Sequence, residues 1–219
     1  EVGTDVIWEY TDKFRTPTIF LVNQLDHDAA NFDNTVQQAK AHFGPNAVLV
    51  QYPLQTGTDF NSIIDVLNMV MYRYAGNGAK PEELPIPESE KEKASQLHKE
   101  LVETIAANDE GLMEKYFELG ELSEDDMKNG LHLSMIRHDI FPIFCASAAK
   151  DIGIERVMSY IYNVCPSANE MPPQKTRSGA ELPCDAAGPA CIFVFKTIIE
   201  PHIGELSLFK VYSGTVKTG

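Results

Sequence analysis

The residues best suited to chemistry in this sequence follow a short apolar run near its start. The run Thr18-Ile19-Phe20-Leu21-Val22 is followed at once by Asn23-Gln24-Leu25-Asp26. A carboxylate at Asp26 can accept two parallel hydrogen bonds, from the ring N1–H and the 2-amino group of guanine. Adenine has neither donor in that place, so the same carboxylate would be left desolvated and unpaired against it. The pattern therefore predicts a guanine pocket, in which Asn23 ties neighbouring loops together and the stem of Gln24 covers one face of the base.

A second candidate element follows another apolar run, Phe141–Cys145. Asn and Asp after a strand are ordinary turn formers, so the first tetrad alone also fits a plain strand-to-helix turn. The later turn Ser147-Ala148-Ala149-Lys150 can offer a backbone N–H to guanine O6, an acceptor that adenine lacks. Two such elements, each placed after a strand, favour the binding site over the plain turn. The predicted guanine-binding residues are Asn23, Gln24, Asp26, Ser147, Ala148 and Ala149.

The elements around these residues predict a parallel sheet. Pro17 and the polar tetrad bound the first apolar run, which is typical of a buried parallel strand. A helix is predicted at 33–43, where apolar side chains recur on one face until Gly44-Pro45 ends it, and a strand is predicted at 47–52. The order strand, helix, strand is that of parallel α/β sheets, in which ligands lie beyond the carboxyl ends of the strands.

Helical and strand patterns also mark the middle and later parts of the chain. A strand is predicted near 63–67, and acidic helices follow it. The last of these helices directs an apolar stripe inward, formed by Met127, Leu131 and Met135. A strongly amphipathic helix is predicted after Lys150, and its apolar face comprises Ile154, Val157, Met158, Ile161 and Tyr162.

The net charge is strongly negative and unevenly distributed. It is −14 for the whole chain, and residues 81–130 hold 15 acidic and 5 basic side chains, a net charge of −10. Neutralising phosphate needs Lys and Arg, so the bulk surface is unsuited to nucleic acid, and either a local patch or a basic partner is expected. A solvated helical face explains these charges nearly as well.

Composition disfavours a membrane-spanning protein, and the cysteine spacing disfavours a zinc site or a disulfide framework. No apolar run approaches the ~18 residues needed to cross a bilayer, so no membrane partner is expected. The four cysteines contain no Cys-x-x-Cys pair, and reduced thiols are expected at Cys145, Cys165, Cys184 and Cys191.

The motifs together resemble those of bacterial translation elongation factor G, a family of translational GTPases. Asn23 to Asp26 resembles the family's Asn-Lys-x-Asp motif, and Cys145-Ala146-Ser147-Ala148 resembles its Cys-Gly-Ser-Ala. Leu112-Met113-Glu114-Lys115-Tyr116 resembles part of the insertion characteristic of this factor, and Val211-Tyr212-Ser213-Gly214 resembles the opening of its β-barrel domain. The resemblance covers essentially all 219 residues.

The resemblance implies an α/β fold: a partial P-loop GTPase parallel sheet with an inserted α+β subdomain, followed by the first strands of a β-barrel domain. The implied domains are the later part of the GTPase domain at 1–52 and 140–167, the inserted acidic subdomain at 53–139, a linker at 168–189 and the truncated β-barrel domain at 190–219. Since the first residue is Glu rather than Met, the chain is expected to be processed or cut from a longer protein.

The resemblance also implies a function. The parent protein would bind GTP/GDP and drive the movement of tRNA and mRNA on the ribosome in the cytoplasm. The implied partners are the factor-binding site of the ribosome and the basic stalk protein of its large subunit, which the acidic helices of 53–139 would meet. Contacts with rRNA and tRNA would come from domains absent here, and Mg²⁺ is expected only in the full-length protein.

Two features depart from an active GTPase. Gln24 stands where the family has Lys, and its uncharged amide is expected to weaken guanine binding without abolishing it. The sequence contains no Gly-x4-Gly-Lys-Ser/Thr, so it lacks a phosphate-cradling loop and a Mg²⁺-holding hydroxyl. This stretch alone is therefore expected to be inactive, and no catalytic or metal-binding residue is assigned.

Other functions remain open from the sequence. A tetracycline-resistance ribosomal protection protein shares the implied fold and the Ser-Ala turn, and a ribosome-recycling paralogue is also compatible. The acidic insertion favours the translocase over the resistance protein. In a third alternative the chain is a non-hydrolysing ribosome-docking module, in which Gln24 marks a decayed pocket.

Overall fold

The computed structural model describes residues 2–76 and 78–218, which form both helices and strands. The helices are α1 (Val2–Lys13), α2 (Phe32–Phe43), α3 (Lys91–Ala106), α4 (Glu110–Leu119), α5 (Glu124–Ile136) and α6 (Ile154–Asn163), with a short 3₁₀ turn at Glu88–Glu90. The strands are β1 (Phe20–Val22), β2 (Ala47–Leu49), β3 (Gln51–Pro53), β4 (Ser62–Asp65), β5 (Val70–Arg73), β6 (Glu82–Leu84), β7 (Phe141–Cys145), β8 (Gln174–Lys175), β9 (Glu181–Leu182), β10 (Cys191–Glu200) and β11 (Gly204–Ser213). Contacts among these elements divide the chain into two units after Pro166.

A parallel sheet positions both candidate loops. Its strand order is β1-β7-β2, and both pairs are parallel. The central strand β7 is buried at every position, because neighbours cover both of its edges and both of its faces. In the register of the sheet Phe20 lies opposite Ile143, and Val22 lies opposite Cys145. The α/β fold with a parallel sheet is confirmed.

The single strand predicted at 47–52 is wrong, because this segment forms two strands in different sheets. β2 pairs with β7 in the parallel sheet, whereas β3 pairs with β4 in an antiparallel sheet. Val50 lies between them: its N–H donates to Ile143 O at 3.2 Å, and its carbonyl accepts the N–H of Val66 at 2.9 Å. An apolar run has the same appearance in either sheet, so the change of partner left no mark in the sequence.

The antiparallel sheet has the strand order β3-β4-β5-β6 and belongs with the acidic helices. The strand predicted near 63–67 is observed as β4, which ends at Asp65 because its carboxylate accepts the N–H of Asn68 at 2.9 Å and forms a turn. The inward stripe predicted on α5 is confirmed, since Met127, Leu131 and Met135 are all buried.

Helix α1 is attached to the parallel sheet through an aromatic cluster. The ring of Trp8 lies 4.9 Å from the rings of Phe43 and Phe141 and 5.7 Å from that of Phe20. Contacts of this geometry add to the stabilisation from buried area. Trp8 is the only tryptophan in the sequence, so its fluorescence reports on the folding of the first unit.

Helix α6 forms as predicted, but only part of its predicted apolar face is buried. Val157 is buried as expected, and Tyr160 is buried with its ring packed edge-on against Phe144 at 4.8 Å. Met158 and Tyr162 belong to the predicted apolar face and are 58% and 88% exposed. Apolar spacing identifies an amphipathic helix, whereas the packing against β7 decides which side of it is covered.

The second unit consists mainly of a hairpin. Its strands β10 and β11 pair antiparallel, and the shorter strands β8 and β9 form a separate pair before them. Large apolar side chains of the hairpin are exposed, among them Phe193, Phe195 and Ile199. A two-stranded ribbon buries little of its own apolar surface. No helix among the described residues is long and apolar enough to cross a membrane.

Candidate functional site

The loops that follow β1 and β7 form one continuous surface. Because Val22 and Cys145 are register partners, the two loops leave the sheet at the same level. The N–H of Ala146 donates to Val22 O at 2.9 Å, and the N–H of Leu25 donates to Ala146 O at 3.3 Å. The carboxyl edge of the sheet therefore brings together the two elements that lie far apart in the sequence.

Asp26 is held in place from one side. The Ser147 hydroxyl donates to Asp26 Oδ1 at 2.6 Å, and the Lys150 N–H donates to the Ser147 oxygen at 3.3 Å. Ser147 is fully buried, whereas Asp26 is partly exposed. Among the described residues no side chain bonds to the second oxygen, Oδ2. The carboxylate is thus oriented with one oxygen fixed and the other available to a ligand.

The surroundings of Asp26 favour its ionised form. The hydrogen bond from Ser147 is the main cause that lowers the Asp26 pKa below its ordinary value of 3.8, and partial desolvation opposes it. The charges of Lys150 and His27 lower this pKa further. Asp26 is therefore a carboxylate at neutral pH and accepts hydrogen bonds without donating any.

Asn23 connects the two loops. Its side chain occupies one of two neighbouring backbone N–H donors and leaves the other available. Its Oδ1 accepts the N–H of Ala148 at 2.9 Å. The N–H of Ala149, one residue further on, has no acceptor among residues 2–76 and 78–218. The sequence assigned Ser147, Ala148 and Ala149 to the site together, and the geometry separates their roles. Ser147 orients the carboxylate, Ala148 anchors Asn23, and Ala149 presents the unused donor.

Gln24 has an unusual backbone conformation. Its φ is +61°, in the left-handed region that β-carbon sterics disfavour by about 1–2 kcal/mol. The side chain is exposed, and the carbonyl accepts the N–H of His27 at 3.2 Å. Such strain is retained only where the surrounding structure imposes it, and it is common at ligand sites.

Lys150 contributes to the candidate site, although it is not among the residues predicted to bind guanine. Its backbone N–H supports Ser147, and its Nζ donates to Thr58 O at 3.1 Å, which brings the loop before β4 to the edge of the site. The Gly57 N–H also donates to Leu25 O, at 2.8 Å. Any residue type can donate a backbone N–H, so the identity of Lys150 does not predict this contact. Only its position in the turn could have indicated it.

Gly153 allows the turn after β7 to close. Ser147 and Ile152 exchange both backbone hydrogen bonds at 3.0 Å, and the chain then turns at Gly153 with φ +82°. A Cβ at this position would lie 2.7 Å from Cys145 O and 2.7 Å from Ile63 Cδ1. Glycine is required both by its backbone angle and by this close approach.

The described residues offer no metal centre. No group of three or more His, Cys, Asp and Glu side chains within 2–76 and 78–218 could hold a metal ion. The oriented Asp26 carboxylate and the unused Ala149 N–H support recognition of a planar ring with adjacent donors and an acceptor.

Replacing Ser147 by alanine should raise the Asp26 pKa toward 3.8, because the variant loses the O–H that stabilises the carboxylate. A lowered folded-state pKa stabilises the fold above the unfolded value, and this stabilisation is lost as the pH falls through the folded value. The acid-dependent part of the stability should therefore shrink in Ser147→Ala. NMR titration of the carboxyl carbons measures the pKa, with Asp126 as an internal reference, since Lys115 and Ser123 lower its pKa independently. An unchanged Asp26 titration would contradict the assignment.

Comparisons with known proteins connect this geometry to other chains. No known protein-family profile matches the sequence. Elongation factor G of Mycoplasma pneumoniae is 34% identical over 224 aligned residues, which cover the whole of this chain and 33% of that protein. A crystal structure of a protein from Thermus thermophilus superimposes with a TM-score of 0.81 at 28% identity, covering 98% of this chain and 30% of the other. The chain thus spans about a third of the length of the relatives it matches.

Proposed function

Since this chain belongs to the elongation factor G family, we propose that its two loops form the guanine-recognising half of the GTP/GDP site of a translational GTPase. The observation that carries the proposal is the Asp26 carboxylate, fixed through Oδ1 by Ser147 and available through Oδ2. An oriented carboxylate beside an unused backbone N–H is complementary to the donor and acceptor pattern of guanine and opposed to that of adenine.

The base fits these groups in one orientation. Its N1–H and 2-amino group donate to the Asp26 carboxylate, and its O6 accepts the N–H of Ala149. Oδ1 can accept from both Ser147 and the base, because a carboxylate oxygen has two lone pairs. The stem of Gln24 covers one face of the ring, where the left-handed backbone turns the residue out to solvent.

Hydrolysis requires groups that these residues do not supply. The sequence has no phosphate-cradling Gly-x4-Gly-Lys-Ser/Thr, and Mg²⁺ needs ligands from that side of the nucleotide. We therefore assign GTP hydrolysis and Mg²⁺ binding to a longer parent protein, and expect the 219-residue chain to bind the base without turning over GTP.

The ribosome is the proposed partner, with translocation of tRNA and mRNA as the step served. The acidic helices α3–α5 support this, because a surface of net negative charge favours a basic protein such as the stalk protein of the large subunit. Glu114, Glu118 and Glu121 are exposed, and among the described residues none of them forms an ion pair. Phe117, 78% exposed between them, adds an apolar contact.

A recycling or resistance paralogue would use the same fold. Ribosome-dependent translocation by the parent protein distinguishes a translocase from these two alternatives.

Guanine selectivity tests the proposal on the chain itself. GMP should bind more tightly than IMP, which lacks the 2-amino group, and IMP more tightly than AMP. The shared phosphate makes the comparison one of bases alone. Hydrogen bonds to a charged group contribute about 1.5–3 kcal/mol each, so the two bonds to Asp26 together contribute about 3–6 kcal/mol. A GMP Kd of ~1 mM, equivalent to about 4 kcal/mol, falls within this range. NMR shift titration measures the three constants, and equal affinity for GMP and AMP would rule the site out and favour the docking-module alternative.

Exchanging Gln24 for lysine should tighten GMP binding, by a few-fold, because the ammonium adds a charge beside the ribose and base and keeps the stem. The left-handed backbone disfavours both residues alike, so strain does not change. Gln96→Lys is the control, since it makes the same charge change at an exposed position of α3. The interpretation of Gln24 fails if the two variants bind GMP equally well.

A further inference from the structure

A second cavity lies within the first unit, between the antiparallel sheet and the helices α5 and α6. Its volume is about 400 Å³. Strands β3, β4 and β5 supply its floor, and Lys128, Arg156 and Ser159 supply part of its helical wall. None of the predicted guanine-binding residues lines it.

The floor of the cavity contains one buried acceptor that has no donor and, beside it, one buried carboxylate that has no cation. Gln51 lines the cavity and is only 2% exposed, and its Oε1 is buried without a hydrogen-bond partner among the described residues. Its amide orientation is set by the other end, where Nε2 donates to Asp65 Oδ2 at 3.5 Å. A buried acceptor with no partner is destabilising, so it is a place where a ligand donor is favoured.

The carboxylate beside this acceptor has no cation. Asp65 is 5% exposed, lines the same cavity and forms no ion pair within residues 2–76 and 78–218. Its hydrogen bonds among these residues come from neutral groups, namely the N–H and the side-chain amide of Asn68, the amide of Gln51 and the backbone N–H of Leu67. Burial raises its pKa above the ordinary 3.8, as expected for a desolvated carboxyl that lacks a counter-ion.

The cationic side chains that line the cavity are already paired. Lys128 bonds to Glu124 one turn away on α5, and Arg156 bonds to its neighbour Glu155 while stacking 4.5 Å from the centre of the Tyr72 ring. Glu83 adds an exposed carboxylate to the lining. The uncompensated charge of the cavity is therefore negative, and an anionic ligand is disfavoured.

Part of the remaining lining is apolar, and Asn68, Ser159 and Asn163 are its polar members. Side chains of aliphatic and aromatic residues flank the acceptors, and they include Val50, Leu67, Val70, Phe144 and Tyr160. A ligand that matches this cavity has a charged donor head for Gln51 and Asp65 and an aliphatic body for these walls.

We propose that this cavity binds a small organic cation, with a primary ammonium group donating to Gln51 Oε1 and to the Asp65 carboxylate and an alkyl chain against the apolar walls. An ammonium has three donors, enough to satisfy both acceptors and retain one bond to water. Its charge compensates the buried carboxylate, which a neutral donor cannot do.

Three probes of similar size test the charge requirement on the 219-residue chain. Butylammonium should give saturable NMR shifts for residues that line the cavity, whereas butanol and butyrate should bind at least tenfold more weakly. Equal binding of butanol and butylammonium would reduce the cavity to an apolar void and overturn the proposal, as would the absence of saturable shifts with any probe.

Variants test whether butylammonium binds in this cavity. Asp65→Asn should weaken butylammonium binding at least tenfold, and Ser159→Phe should abolish it by filling the space while leaving both acceptors in place. Asp33→Asn, on the exposed surface of α2, removes the same charge as Asp65→Asn outside the cavity and should have no effect. If Trp8 fluorescence shows that Asp65→Asn does not fold, Ser159→Phe provides the test. Butylammonium binding retained in Ser159→Phe would overturn the assignment.

Discussion

Asparagine at position 26 should invert the base preference of the candidate site from guanine to xanthine. In the native chain Asp26 Oδ1 accepts the hydroxyl of Ser147. An asparagine oxygen would take that place, because it is the acceptor of the amide, and the amide nitrogen would then occupy the position of Oδ2. A donor there faces the 2-amino donor of guanine unfavourably and the 2-oxo acceptor of xanthine favourably.

The expected effect is large because the substitution removes an acceptor and adds a donor at the same contact with the base. Loss of one charge-assisted hydrogen bond and exposure of an unpaired donor cost about 1.5–3 kcal/mol or more. Since about 1.4 kcal/mol is tenfold in affinity, GMP should bind at least tenfold more weakly to Asp26→Asn. XMP should bind this variant more tightly than GMP does, the reverse of the native order.

Matched titrations of GMP and XMP measure the inversion. Asp28→Asn is the control, because it makes the same charge change at an exposed position of the same loop and should leave the order unchanged. Trp8 fluorescence verifies that both variants are folded. If Asp26→Asn retains the native preference for GMP, Asp26 does not contact the base and the proposed orientation is wrong.

Substituting Gly153 by alanine should destabilise the first unit by about 2–5 kcal/mol. The left-handed backbone contributes about 1–2 kcal/mol of this, since φ is +82°. The remainder comes from overpacking, because the new Cβ would lie 2.7 Å from Cys145 O and Ile63 Cδ1, and such insertions cost about 1–3 kcal/mol. The clash falls at the end of β7, so GMP binding should weaken as well.

Gly120 provides a control that separates these two causes. Its φ of 76° and ψ of −2° resemble the 82° and −11° of Gly153, yet nothing lies within 4 Å of a Cβ built there. Gly120→Ala should therefore cost only the backbone contribution and leave GMP binding unchanged. Urea unfolding followed by Trp8 fluorescence measures both variants. Equal destabilisation would mean that the turn after β7 relaxes to accept the methyl group.

The family and the α/β class could be predicted from the sequence because local patterns carry them. An apolar run before the Asn23–Asp26 tetrad predicted β1, and an apolar run before the Ser147 turn predicted β7. The whole-chain match to elongation factor G confirms the family that the motifs indicated. The acidic helices and the buried stripe of α5 followed from the same helical spacing. These features depend on neighbours within a few residues, so a single chain suffices to predict them.

The sequence predicted which residues would meet in the candidate site, but not which contact each of them makes. Asn23, Asp26 and Ser147 were identified by type and position, since carboxylate, amide and hydroxyl have distinct donors and acceptors. Whether Ala148 or Ala149 has the unused N–H depends on where the side chain of Asn23 points, and that is a contact across 125 residues. No local pattern encodes such a contact.

The order of residues along this chain determined its helices, most of its strands and the chemical types that gather at the end of each strand. The tertiary structure alone decided that β7 lies between β1 and β2, that residues 47–53 serve two sheets, and that α6 buries Tyr160 and leaves Tyr162 in solvent. It also decided that Gln51 and Asp65 share a cavity. The physical reason is that periodicity records which residues avoid water, whereas the partner that covers them is chosen by packing among elements distant in sequence.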